Sequence, residues 1–155
     1  MGRQIAKSGH PVVYVNYHDA VGYAEWAGMF LPSEEEWEKA ARGSDGRMHP
    51  WGDKWRDGCC NTDEAGIGTT TPAGRYSPQG DSPYGCVDMA GNVWEWTESW
   101  FDAAKARRVV RGGSWNVNQV SARCVSQQQS SCAPLQRYRF PVGGSSSPIS
   151  MITDH

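Results

Sequence analysis

Three tryptophans fall within the seven residues Trp94-Glu95-Trp96-Thr97-Glu98-Ser99-Trp100, directly after the run Tyr84-Gly85-Cys86-Val87-Asp88-Met89-Ala90-Gly91-Asn92-Val93. Side chains of that size cost about 1.5–3 kcal/mol each to leave in water, so this stretch has to enter a core. Glu95 sits between two of them, and a carboxylate carried into a core must be paired or bound to an ion. Asp88 and Glu95 flank a glycine-containing turn and offer hard oxygens beside free carbonyls, the kind of set Ca²⁺ takes. Two readings of these residues stand. One is a cation site; the other is a solvated turn leading into an aromatic core strand.

The rest of the chain must build what surrounds that stretch. Its 155 residues suit one domain of ordinary size. Only 38% are apolar, but eight Trp and six Tyr supply burial, while 18 Gly and nine Pro point to a loop-rich domain rather than a helical bundle. A net charge of −2, with Lys and Arg dispersed, gives no footprint for nucleic acid. Five cysteines, with Cys59 and Cys60 adjacent and no C-x-x-C, make neither a disulfide framework nor a zinc site, though pairing of Cys124 with Cys132 across a loop stays open. No apolar run approaches ~18 residues, and no leader pattern precedes the domain. The expectation is a protein made in the cytoplasm, with display on a virion or cell surface left open.

Val12-Val13-Tyr14-Val15 reads as a short strand. A helix is expected from His18 to Trp26, with Ala20, Tyr23, Ala24 and Ala27 along one stripe and Gly28 as its stop. A second follows Ser33, which with Glu36 forms a capping box; Trp37, Ala40 and Ala41 make its buried stripe, and Gly43 ends it. Residues 43–83 are nearly aperiodic and rich in turn residues, so something must tie them down; buried Trp51 and Trp55 are one tie and an ion another. Val109-Val110 runs into an Arg111-Gly112-Gly113-Ser114-Trp115 turn, beyond which Asn116–Gln136 becomes polar and Gln/Ser-rich.

Gly85-Cys-Val-Asp88-Met-Ala-Gly91-Asn92-Val-Trp94-Glu95-Trp96 resembles the G-L-x-D-M-x-G-N-V-W-E-W motif of the formylglycine-generating-enzyme (sulfatase-modifying factor) family, a branch of the C-type lectin fold. Pro11–Ala20, Leu31–Arg42, Pro50–Asp53 and Val109–Trp115 match further family segments in the same order. The resemblance implies an α+β fold, two helices beside small twisted antiparallel sheets with many loops. It implies one domain over residues 1–143 and a flexible Gly/Ser-rich tail over 144–155. It also implies a structural calcium ion held by the side chains of Asp88 and Glu95 and the carbonyls of Gly91 and Val93. A second calcium site is expected near Asn61-Thr62-Asp63-Glu64, where the family's downstream Asp is here Ala65.

Enzymes of this family oxidise a substrate cysteine with copper held by two thiolates in a C-x-x-x-x-C spacing after the Gly-Gly-Ser-aromatic turn. The matching positions are Val117 and Ala122, which offer no nucleophile and no soft ligand, so no copper is expected. Cys124 and Cys132 are displaced from that spacing. What remains is similar to the variable proteins of diversity-generating retroelements, in which a lectin-like scaffold displays hypervariable residues. The function this implies is non-catalytic binding of a protein or other macromolecular ligand, not of nucleic acid. The candidate surface is Val117, Asn118, Val120, Ser126, Gln128, Ser130, Leu135, Gln136, Tyr138 and Phe140, small polar groups among a few larger anchors. The alternatives are a formylglycine-generating-type oxidase acting on cysteine of a protein substrate, and a purely structural domain.

Overall fold

The computed structural model describes residues 8–131 and 152–153. Helix α1 spans Tyr17–Trp26 and begins one residue before the expected His18, because Asn16 caps it. The Asn16 side chain accepts the Asp19 amide at 3.0 Å and Asp19 accepts the Asn16 amide at 3.2 Å, a reciprocal pair that satisfies two otherwise orphaned donors. Helix α2, Glu34–Arg42, carries the expected box: Ser33 accepts the Glu36 amide at 3.2 Å and Glu36 accepts the Ser33 amide at 2.8 Å. Gly43 ends it at a φ of 68°, where a Cβ would also sit 2.9 Å from Pro83. The strand expected over 12–15 does not form; Tyr14 adopts a φ of 61°, which breaks any extended run.

The sheet is built from β1 (Trp94–Trp100), β2 (Arg107–Arg111), β3 (Gln127–Ser131) and β4 (Ile152–Thr153), in the order β3-β2-β1-β4 with antiparallel neighbours. Strand β3 lies in the polar, Gln/Ser-rich stretch beyond the Gly-Gly turn. Its side chains show no apolar alternation; pairing of all five residues with β2, from Arg107↔Ser131 to Arg111↔Gln127, forms it instead. Of residues 144–155, expected as a tail, Ile152 and Thr153 pair with Glu95 and Trp94, and the others lie outside the described residues.

Alternation along β1 sends Trp94 and Trp96 to one face, where Ala20 of α1 and Val110 of β2 complete a core cluster. Glu95 and Arg111 point to the other face, toward α2. Trp100, expected in the core, is 38% exposed, and Arg108 stacks on its ring. A second cluster joins Trp37, Ala41, Met89 and Cys124, and a third joins Cys60, Ala90 and Ala122. Trp51 and Trp55 cap this third cluster while only half-buried, with His49 stacked parallel to Trp51 at 5.2 Å. These are the expected aromatic ties of the aperiodic region, here partly open to solvent.

Candidate functional site

Asn92, which follows the glycine of the aromatic motif, holds three distant segments together. Its side-chain oxygen accepts from the Thr71 amide at 2.9 Å and from Asn61 Nδ2 at 3.3 Å, while its own Nδ2 donates to the Thr71 carbonyl at 3.1 Å. Its backbone amide donates to the Asn61 carbonyl at 2.6 Å, and its carbonyl accepts the Trp115 amide at 3.1 Å. Gly91 allows this approach: at a φ of 71°, a Cβ there would lie 2.3 Å from the Asn61 carbonyl oxygen. Sequence reasoning did not single out Asn92. The only local sign was an Asn after a Gly, a residue tolerant of positive φ, and Asn92 has a φ of 65°.

The two expected acidic metal ligands have different settings. Asp88 is 8% exposed and accepts the Gly74 amide at 2.7 Å; burial raises its pKa above the usual carboxylate range. Glu95 is half-buried and accepts the Trp37 indole N–H at 2.6 Å. The Gly91 carbonyl accepts the Val93 amide at 2.8 Å. The Val93 and Met89 carbonyl oxygens each lie 3.8 Å from where a Cβ of Gly112 would stand, beside the Trp37 ring at 3.3 Å. Gly112 is thus closely packed, and a Cβ there would press on the Trp37 ring. Among the described residues no three His, Cys, Asp or Glu side chains gather, so a cation here would rely on backbone carbonyls alongside the carboxylates. Asp88 and Glu95 are turned to separate neutral donors, Gly74 and Trp37, so what fits Ca²⁺ is the donor type, hard oxygens throughout. Near the second expected position, Asn61 Oδ1 is buried without a hydrogen-bond partner, and Glu64 is turned to the Gln119 amide at 2.8 Å.

Where the resemblance implies copper-binding thiolates, Val117 packs half-buried against the Trp94–Trp96 cluster and Ala122 is fully buried beside Cys60 and Ala90. Neither side chain carries a donor, so the residues at these positions do not fit copper. Cys124 is a free, buried thiol whose pKa burial pushes up to about 12, and burial does the same to Cys60, again to about 12. Both are protonated at neutral pH and are not thiolate nucleophiles. Cys132 lies outside the described residues.

The residues expected on a ligand surface differ in exposure. Asn118 and Gln128 are exposed, Val120 is 49% exposed, and Ser126 is half-buried, donating to the Val120 carbonyl at 2.6 Å. Ser130, expected on the ligand surface, is instead 6% exposed and faces inward, because β3 alternates its faces against β2. Val117 is likewise more core than surface. Leu135, Gln136, Tyr138 and Phe140 lie outside the described residues. Buried Arg111 anchors the backbone of this segment. It pairs with Glu38 at 2.6 Å and Glu34 at 3.0 Å on α2, and donates to the carbonyls of Cys124 at 2.6 Å and Val125 at 3.2 Å. Burial raises the Glu34 pKa; for Glu38 burial acts the same way, but hydrogen bonds from Arg42 and Arg111 hold it below the usual value.

Residues 2–139 match the family described as the sulfatase-modifying factor enzyme 1-like domain. The chain is 44% identical over 117 residues to a Bos taurus protein named inactive C-alpha-formylglycine-generating enzyme 2, covering 68% of this chain and 38% of that one. It is 38% identical over 165 residues to the formylglycine-generating enzyme of Streptomyces coelicolor, covering 83% of this chain and 52% of the enzyme. The chain thus spans about half or less of these curated relatives, which include proteins named inactive as well as proteins named as the enzyme. Among solved structures, PvdO from Pseudomonas aeruginosa superposes with a TM-score of 0.69 at 24% identity, over 84% of this chain and 60% of PvdO. Treponema denticola variable protein 1 superposes with a TM-score of 0.67 at 18% identity, over 84% of this chain and 69% of that one. At such identities the likeness is one of fold. No helix among the described residues is long and apolar enough to cross a membrane.

Proposed function

The chain belongs to the sulfatase-modifying factor enzyme 1-like family, and on that premise we propose that it is a non-catalytic ligand-binding protein displaying a variable C-terminal surface on a C-type lectin scaffold. One observation carries this reading. The two positions at which the resembled enzymes hold thiolates are Val117 and Ala122, packed into the core, while the nearby Cys124 thiol is buried and protonated. A reaction that needs a pair of soft, ionised ligands has none where the scaffold would present them. What the same segment does present to solvent is Asn118, Val120 and Gln128 on a backbone held by Arg111 and Asn92. Rigid framework beneath adaptable side chains is the combination a recognition surface needs.

The ligand is a protein or other macromolecule, and the dispersed charge argues against nucleic acid. A structural Ca²⁺ belongs to the same reading, held by Asp88 and Glu95 through side chains and by Gly91 and Val93 through carbonyls. It would supply charge neutralisation beside the buried tryptophans. The test is exchange of Asn118, Val120 and Gln128 in a display library selected against cell-surface proteins. Selected partners that change with these side chains while the melting temperature holds support the reading, and uniform loss of folding sinks it. The oxidase alternative draws on the 38% identity to the Streptomyces coelicolor enzyme. It requires oxygen consumption with a cysteine-containing peptide after copper reconstitution, and loss of that consumption in Cys124→Ser or Cys132→Ser.

A further inference from the structure

Helix α1 and the loop after it line an open groove of ≈ 190 Å³. Helix α1 contributes Tyr17, Val21 and Ala24, and the loop contributes Met29, Phe30 and Leu31. Two acids line the same groove from different elements, Glu25 of α1 and Glu98 of β1. Both are exposed, and neither forms an ion pair among the described residues. Phe30 stands at the rim 89% exposed, an apolar ring with no core to enter.

We propose that this groove is a docking site for a segment of a partner protein that inserts one arginine or lysine side chain. Its volume is below the roughly 300–1,000 Å³ of small-molecule sites, and is the scale of a single long side chain. Apolar walls suit the methylene stem of such a residue, and the two carboxylates suit its head. A purely apolar insert would strip water from Glu25 and Glu98 and give nothing back. The wall already takes a guanidinium from within the chain. The Arg108 group lies 4.3 Å from the Tyr17 ring centroid and 3.3 Å from that of Trp100, and donates to the Glu98 carbonyl. Arg108 is committed to those rings and that carbonyl and forms no ion pair with either carboxylate.

The test uses fluorescein-labelled heptapeptides identical except for a central Arg, Lys, citrulline or Glu between two leucines, titrated with the full chain by fluorescence polarisation. The Arg and Lys peptides are expected to bind, with citrulline, which keeps the shape but not the charge, weaker by at least about tenfold. The double variant Glu25→Gln/Glu98→Gln should abolish that difference, and Phe30→Ala should weaken every peptide. All three positions are exposed, so the variants keep the fold, and a thermal melt verifies this. Substitutions at Asn118, Val120 and Gln128 should leave peptide affinity unchanged, which separates this site from the ligand surface proposed above. Equal binding of Arg and citrulline, or no binding by any peptide, overturns the proposal. So does a dimer in sedimentation that Phe30→Ala dissolves, since it would assign the groove to a second copy of this chain.

Discussion

Glu95 and Arg111 stand opposite each other across β1 and β2, yet each engages α2: Glu95 takes the Trp37 indole at 2.6 Å and Arg111 takes Glu38 at 2.6 Å and Glu34 at 3.0 Å. The Arg111 guanidinium also lies 5.3 Å from the Trp37 ring centroid, so one tryptophan is held by an acid at its N–H and a cation at its face. Removing Arg111 would strand two carboxylates and two carbonyls at once. Arg111→Met should cost about 3 kcal/mol, the low end for breaking a buried pair, because Glu34 and Glu38 are partly solvated. Arg111→Lys should recover only part of this, since a point charge cannot serve four acceptors in fixed directions. Urea denaturation with an unchanged m-value is the measurement.

Saturating calcium should raise stability by RT ln(1 + [L]/Kd), about 2.7 kcal/mol at a hundredfold excess over Kd. Glu95→Gln should abolish that increment while keeping an acceptor for the Trp37 N–H. Differential scanning calorimetry in calcium and then in chelator reads both. A wild-type melt indifferent to calcium after exhaustive chelation removes the ion from the account.

Asp88 gives a distinct dependence on pH. Burial raises its pKa in the fold above the unfolded value, so the native state binds a proton more readily than the unfolded chain. Its penalty on stability is absent below the unfolded pKa and grows as pH rises through the folded one. Without calcium, Asp88→Asn should therefore raise the melting temperature at pH 7 and make no difference near pH 3. The Asn oxygen still accepts the Gly74 amide. In calcium the order should reverse, because the variant loses a charged ligand. Equal pH profiles for the two proteins in chelator would exclude the buried carboxylate as the cause.

Thiol reactivity should follow burial. Cys86 is half-exposed, whereas Cys59, Cys60 and Cys124 are buried. With the Cys124 thiol pushed up to about 12, its thiolate at pH 8 is scarce by roughly a thousandfold relative to an ordinary cysteine. Alkylation of the native chain by iodoacetamide, mapped by mass spectrometry, should label Cys86 well before Cys124. Early labelling of Cys124 would reopen the oxidase reading.

Substitutions on the displayed segment should divide by burial. Asn118→Asp, Val120→Ser and Gln128→Lys should each stay within about 0.5 kcal/mol of wild type. Ser130→Leu and Val117→Asp should cost more, the first by overfilling a packed site and the second by burying a charge. Chemical melts of the five variants test the division.

The elements with local chemistry were legible in the sequence. Ser33 and Glu36 sit three apart before an apolar stripe, and α2 begins and ends where they and Gly43 place it. Trp94 and Trp96 alternate around an acid, and their burial on one face of β1 follows from that period. The donor types at Asp88 and Glu95 could be read, but not that each has a separate neutral donor, Gly74 or Trp37, because those partners are remote in the chain. Strand β3 and the burial of Ser130 were hidden for a related reason. A Gln/Ser run has no periodicity of its own, and its conformation is set by β2. The roles of Asn61 and Asn92 escaped because a buried amide network is a property of three remote segments, and the motifs that contain these two residues do not show it.

The joint at Asn92 also bears on how the chain comes apart. It links Asn61, Thr71 and Trp115 through one residue, so the turn-rich stretch cannot peel from the sheet without breaking the buried hydrogen bonds at Asn61 and Thr71. Segments of such sparse regular structure ordinarily open on their own, far below the free energy of global unfolding. Here the amides of Thr71, Asn92 and Trp115 should exchange with deuterium at a single rate, that of whole-molecule unfolding. A protease meeting the native protein would then find no early cut between residues 61 and 71, in a stretch that by composition alone invites one.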